Sequence, residues 1–270
     1  MTVDRPWRIG LRTLALGYLA LLLLVPVGMI FYRTFEHGVA AVWESVTTPA
    51  AISSFWLTIE VMAIAVPLNT VFGIVMAMAL ARGRFPGKGI LNALIDLPFA
   101  VSPVVIGLSL ILVYGINGWL GGALADAGIQ VIFSVPGIVL ATIFVSLPFV
   151  VREVTPVLKE IGDEQEQAAA TLGAGGWTTF RRITLPAIRW GVAYGVVLSV
   201  ARAIGEFGAV SVVSGKISGE TETLTLLVEK RFTNFDVAGA YAASALLALI
   251  ALAVLLAMTT IKPRREEGDA

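Results

Sequence analysis

Six long apolar runs, separated by short polar stretches, set the pattern of this chain. They lie at Leu14–Tyr32, Trp56–Ala81, Leu91–Tyr114, Pro136–Pro156, Arg189–Ser214 and Ala238–Ile261. Each is near or above the ~20 residues a helix needs to cross the hydrocarbon core of a bilayer. None shows the alternating apolar and polar positions of a membrane β-strand. The pattern predicts an all-α integral membrane protein with six transmembrane helices. Pro26, Pro67, Pro98, Pro103 and Pro148 fall inside the runs, and membrane helices tolerate them because neighbours satisfy the freed carbonyls. Residues 1–13 read as a leading segment, 14–261 as one transmembrane domain and 262–270 as a solvated tail. A basic start before an apolar run also fits a signal peptide. The first run is long for that, and Val25-Pro26-Val27-Gly28 is a poor cleavage site, so an uncleaved first helix is expected.

Composition agrees with a membrane chain. It is 57% hydrophobic and 14% charged, with mean hydropathy +0.87, more apolar surface than a soluble domain can hide from water. There is no cysteine, so neither a disulfide framework nor a thiolate metal site is open to it. With His37 as the single histidine, a histidine metal cluster or a Ser-His-Asp triad within the membrane is not expected. The net charge of zero says little, but its distribution says more. Arg5, Arg8, Arg12, Arg82, Arg84, Lys88, Arg152, Lys159, Arg181, Arg182, Arg189, Lys262, Arg264 and Arg265 flank one side of the six runs. Only Arg33, Lys216, Lys230 and Arg231 flank the other. Positive charge stays in the cytoplasm, so both termini and the long loop at 157–188 are expected there.

That loop contains QAAATLGAGGWTTFRRITLPAIRWG, from Gln167 to Gly191. Asp163, Glu164 and Glu166 suit a helix N-terminus, and Gly173, Gly175 and Gly176 end that helix. A second short helix is expected from Trp177 to Ile183, closed by Leu185-Pro186. Two short helices at an angle make a compact knob. A pair of amphipathic helices lying on lipid is the other reading of the pattern.

The segment resembles the cytoplasmic EAA loop of bacterial ABC importer permeases, whose pattern is Glu-Ala-Ala, three residues, Gly, nine residues, Ile-x-Leu-Pro. Ala168, Ala169, Gly173, Ile183, Leu185 and Pro186 stand at the matching positions, and Gln167 replaces the Glu. Asp96–Leu108, Leu147–Leu158 and Ala201–Thr221 extend the resemblance to the CysW-type permease family of sulfate/thiosulfate ABC importers, over roughly residues 56–227. The resemblance implies the six-helix type I importer (MetI-like) fold in the bacterial inner membrane. It implies that the Gln167–Pro186 residues dock on a separate ABC ATPase, which uses ATP and Mg. It also implies a sister sulfate permease subunit and an extracytoplasmic sulfate/thiosulfate-binding protein. Besides these and membrane lipid, no nucleic-acid partner is expected.

The residues themselves carry no ATP site. Gly83–Gly89 and Ser214-Gly215-Lys216 contain Gly-Lys, but neither has the Gly, four residues, Gly-Lys-Ser/Thr spacing of a phosphate loop. This chain is therefore expected to bind no cofactor and to hold no catalytic residue. Energy is still needed: a dianion entering a negative cell interior costs roughly 4.6 kcal/mol per 100 mV.

Arg202 stands 13 residues into the fifth run, about 20 Å along a helix, near mid-membrane on that reading. Glu206, four residues on, can pair with it. The pair reads either as a pathway gate or as a structural lock. Gly191, Gly195, Ser199 and Ala203 form a small-residue stripe, a seam to a sister subunit or packing within this one. Asp96 and Ser102 fall in the proline-broken stretch Asp96–Val104, and Asn69 follows Pro67. Broken helices at membrane depth line cavities or merely kink. The loop Lys216–Asp236 reads as a short amphipathic helix that meets a partner or caps the bundle. Permeation of another oxyanion such as molybdate or tungstate, and an ATP-independent channel or carrier, remain the alternatives.

Overall fold

The computed structural model describes residues 5–36 and 38–261. His37 and the expected tail 262–270, with Lys262, Arg264 and Arg265, lie outside the described residues. Regular structure among the described residues is entirely helical. Among the described residues five helices are long and apolar enough to cross a membrane, or six if one bent pair counts as a single span. They are α1 (Arg5–Phe35), α3 (Pro49–Arg82), α7 (Val135–Ile161), a continuous rod from Gly176 to Ile204, and α13 (Val237–Ile261). Among the described residues α1 reaches back to Arg5, so residues 5–13 form part of this helix. Short helices fill the connections: α2 (Gly38–Val46), α6 (Gly121–Asp126), α8 (Glu164–Thr171), α11 (Val210–Val213) and α12 (Leu224–Thr233).

The third apolar run is not one straight helix. It forms α4 (Lys88–Ala100) and α5 (Pro103–Tyr114), bent by 114°. Val101 and Ser102 between them are extended, because a residue before proline is pushed out of the helical region. Pro103 then starts α5 at the position where its missing N–H breaks no helical bond.

The fifth run also departs from expectation. The rod consists of α9 (Gly176–Thr179), a π-helical turn (Phe180–Thr184) and α10 (Leu185–Ile204). Leu185-Pro186 does not close a helix. Pro186 cannot donate to the carbonyl four residues back, and the helix widens instead: the Leu185 N–H reaches the Phe180 carbonyl. The rod ends at Ile204, ten residues before the expected Ser214.

The core is a slab of α3, α7 and α10. Asn69 of α3 donates to the Ile143 carbonyl at 3.0 Å and to Ser146 Oγ at 2.8 Å. Arg82, further along α3, reaches the Leu158 carbonyl at 2.7 Å. The two helices therefore run in the same direction. A Cβ on Gly73 would lie 2.6 Å from Val150 Cβ, and one on Gly195 would lie 2.8 Å from Val150 Cα. Small residues permit this close approach on both sides of Val150. Ala77, Val150, Val154, Leu158 and Ile188 are buried there.

These contacts give a depth scale. Glu60 and Arg82 bracket the uncharged run Val61–Ala81, about 31 Å of helix, which matches a hydrocarbon core. Leu158 lies level with Arg82, at the end that carries α8. At the far end Thr58, Val61, Ile138, Thr142, Ala203, Ile204 and Glu206 line one small cavity. α12 caps that end. Leu224, Leu226 and Leu227 are buried, and Arg231 bonds to Ser45, Thr48 and the Gly239 carbonyl.

Candidate functional site

The knob is built on one half-buried carboxylate contact. Glu166 on α8 accepts from Arg82 Nε at 3.0 Å and from the Thr184 hydroxyl at 2.9 Å. Arg82 also donates to the Leu158 and Gly162 carbonyls. One guanidinium thus ties the ends of α3 and α7 to α8, and Thr184 ties in the π-helical turn. Sequence reasoning read Glu166 only as one of the acidic residues suited to a helix N-terminus and did not find this anchor. The signal was present only as an acidic residue one position from the expected one.

α8 ends at Gly173, which has φ +82°. The Ala174 N–H reaches the Ala169 carbonyl and the Gly173 N–H reaches the Ala170 carbonyl, the paired bonds of a Schellman cap. Ala169 is buried, whereas Gln167 and Ala168 are exposed. Ile183 and Leu185 are half-buried under the knob, and Pro186 is exposed. The tip presents Leu172, 88% exposed, and Trp177, 72% exposed, with Trp177 stacked on Phe180 at 5.5 Å. Arg181 and Arg182 stand exposed beside them. An apolar tip on an anchored base, rimmed with positive charge, is suited to insertion into a groove of another protein.

Arg202 and Glu206 pair at 2.7 Å, as their spacing suggests, but in a different place. Arg202 lies in the last turn of α10, and Glu206 lies beyond the helix end. The neighbouring Ala203 and Ile204 share the far-end cavity with Thr58 and Thr142. Arg202 is therefore near the far edge of the slab and not at its middle. The reason is that the rod starts below the expected Arg189 and stops at Gly205. Glu206 is buried. Its Oε1 accepts from the Ala209 N–H at 2.8 Å, and its carbonyl accepts from Thr225 at 2.9 Å.

Asp96 is joined to a residue that the sequence assigned to a flank. Its Oδ1 accepts from Arg152 Nε at 2.7 Å, and its Oδ2 pairs with Arg152 Nη2. Phe99 meets Phe149 edge-on at 5.4 Å beside this pair. Arg152 lies on α7 six residues before Leu158, about 9 Å inside the Arg82 layer. Ser102 is exposed at the α4–α5 bend and makes no capping bond with its hydroxyl. The structure thus brings Asp96 to Arg152 and keeps both apart from Arg202. Gly191 and Gly195 face α7 of the same chain, against Val157, Glu153 and Val150. Ser199 and Ala203 are buried along the same helix.

Residues 69–267 match the family described as binding-protein-dependent transport system inner membrane component. The chain belongs to this family. It is a multi-pass membrane protein of that class. It is 51% identical to the sulfate transport system permease protein CysW of Synechocystis sp., over 94% of this chain and 92% of that protein. It is 50% identical to the CysW protein of Escherichia coli K12, over 93% of this chain and 86% of that one. The sulfate transport system permease protein CysT of E. coli K12 is 39% identical over 93% of this chain and 92% of its own length. A crystal structure of a bacterial ABC transporter that imports the acidic polysaccharide alginate aligns with a TM-score of 0.75. That alignment covers 98% of this chain and 100% of the other at 17% identity, a likeness of fold alone.

Proposed function

We propose that this chain is a membrane-spanning permease subunit of an ATP-driven importer of sulfate and thiosulfate. The observation that carries the proposal is the half-identity, sustained over more than nine-tenths of the chain, to proteins named sulfate transport system permeases. The chain supplies a path and a lever, with no ATP site of its own. ATP and Mg are bound by a separate ATPase. The anchored knob, with Leu172, Trp177 and the Gln167–Pro186 segment, receives that ATPase. A sister permease like the CysT protein forms the other half of the path, and an extracytoplasmic binding protein delivers the anion. The excess of Lys and Arg at the knob end supports a cytoplasmic knob. The Arg202–Glu206 pair then stands at the outer mouth of the path, where its positive end attracts a dianion.

Labelled sulfate uptake at low external sulfate tests this directly, in cells with and without the chain. Deletion is expected to abolish uptake, and excess thiosulfate but not molybdate is expected to block it in the intact cell. Retained sulfate uptake with lost molybdate uptake would overturn the substrate and leave the lever standing. In the same assay Arg202→Ala is expected to lower uptake while the ATPase still co-purifies. Unchanged uptake would remove Arg202 from the path.

A further inference from the structure

We infer that Arg152, held by Asp96, is the positive charge that meets the anion in the inner half of the membrane. The inference rests on the transport reading above.

Three observations carry it. The first is depth. Arg152 lies fourteen residues beyond Ile138, which packs with Val61 at the far edge of the slab, and six before Leu158, which marks the knob edge. That is about 21 Å from one edge and about 9 Å from the other. The second is exposure. The Arg152 side chain is 50% exposed and that of Asp96 28%. A half-open guanidinium at that depth costs several kcal/mol against lipid, so such residues face water-filled cavities or another chain. The third is the state of its donors. Arginine offers five N–H groups in a fixed fork. Asp96 takes Nε and Nη2, and among the described residues nothing is bonded to Nη1. The free edge matches the planar, two-oxygen face of a tetrahedral oxyanion.

Asp96 gives the pair its second property. In the empty path it cancels the arginine charge, and Asn92 on the preceding turn lies 3.4 Å from the same carboxylate. It also sits six residues before the Ser102 bend, on a helix that leans on α7 through Phe99 and Phe149. An arriving dianion docks on the free Nη1 edge and, bearing twice the charge of Asp96, weakens the hold of the guanidinium on that carboxylate. Movement of α4 about the bend then withdraws Asp96 and opens the fork, and its return displaces the anion. Arg202–Glu206 cannot act in this way, because Glu206 is buried and bonded to the Ala209 backbone.

The test uses the whole transporter in proteoliposomes with its ATPase, sister subunit and binding protein. Four variants are compared for uptake, for ATPase activity and for co-purification of the subunits. Arg152→Gln is expected to cut uptake at least about tenfold, the loss of a charged hydrogen-bond partner. Arg152→Lys is expected to keep uptake with a raised KM, because charge remains and the fork is lost. Asp96→Asn is expected to keep the complex together and to shift the anion KM downward. The double variant Arg152→Gln/Asp96→Asn is expected to behave like Arg152→Gln. If the pair merely locks α4 to α7, the double variant recovers uptake and Arg152→Lys, which still pairs with Asp96, leaves the anion KM unchanged. Either result overturns the inference, as does unchanged uptake in Arg152→Gln. The assay uses whichever of sulfate, thiosulfate and molybdate the unmodified transporter carries. A wrong substrate assignment is then visible in the unmodified protein, apart from any effect at Arg152.

Discussion

At the scale of single residues, two positions carry more than their size suggests. Gly173 has φ +82°, and its N–H and that of Ala174 close the cap of α8. Any side chain there meets the left-handed penalty, about 1–2 kcal/mol. Open space surrounds it, so the penalty comes from the backbone alone and not from a clash. Gly173→Ala is therefore expected to fray the knob without unfolding the bundle. Co-purification of the ATPase should weaken while the protein level in the membrane stays unchanged, and full retention of the ATPase would contradict the capping role. Arg82 is the other position. It was read as one more positive flank, yet it gathers Glu166, Leu158 and Gly162 at one point. Nothing in a linear pattern distinguishes a flanking arginine from a tie between helices, because the partners lie 76 to 84 residues away.

At the scale of elements, the apolar runs revealed that helices exist but not where they bend or end. α4 and α5 share one run and part at Val101-Ser102. α10 begins inside what looked like the knob. Proline acts differently at each place. Pro103 starts a helix, Pro186 is absorbed by a π-helical turn, and Pro67 lies within the unbroken α3. The small-residue stripe on α10 shows what packing adds. Gly195 backs onto Val150 so closely that its missing Cβ would stand 2.8 Å from backbone. Gly195→Leu is expected to force α10 off α7 and to deplete the protein from the membrane. Expression at the normal level with normal uptake would mean that α10 can slide, and that the tight approach is not required. Gly191, whose nearest contacts are at 3.1 and 3.2 Å, should tolerate Ala better than Gly195 does.

At the scale of the whole molecule, α1 is held to α13 through Thr34, whose hydroxyl donates to the Tyr241 carbonyl at 3.0 Å. None of the residues in its most apolar window is buried in this chain, so its apolar surface faces lipid or another subunit. The slab, by contrast, has two distinct ends, a knob end and a capped end, and we propose from the charge pattern that the knob end is cytoplasmic. The absence of cysteine makes this easy to test. Thr178→Cys and Glu220→Cys introduce single thiols at exposed positions on opposite ends. A membrane-impermeant maleimide is expected to label Glu220→Cys in intact cells and Thr178→Cys only after permeabilisation. The reverse order would invert the orientation. By itself the sequence determined that the chain is helical, embedded and divided into about six runs, because hydropathy is a local sum over neighbouring residues. It also determined the knob, because a Gly with positive φ and an acidic first turn act within one helix. Only the tertiary structure decided the depth of each charge. Depth depends on which helices lie side by side and on where each breaks. Arg202 moved to the far edge and Arg152 to the interior for that reason, and Asp96 found its partner 56 residues away.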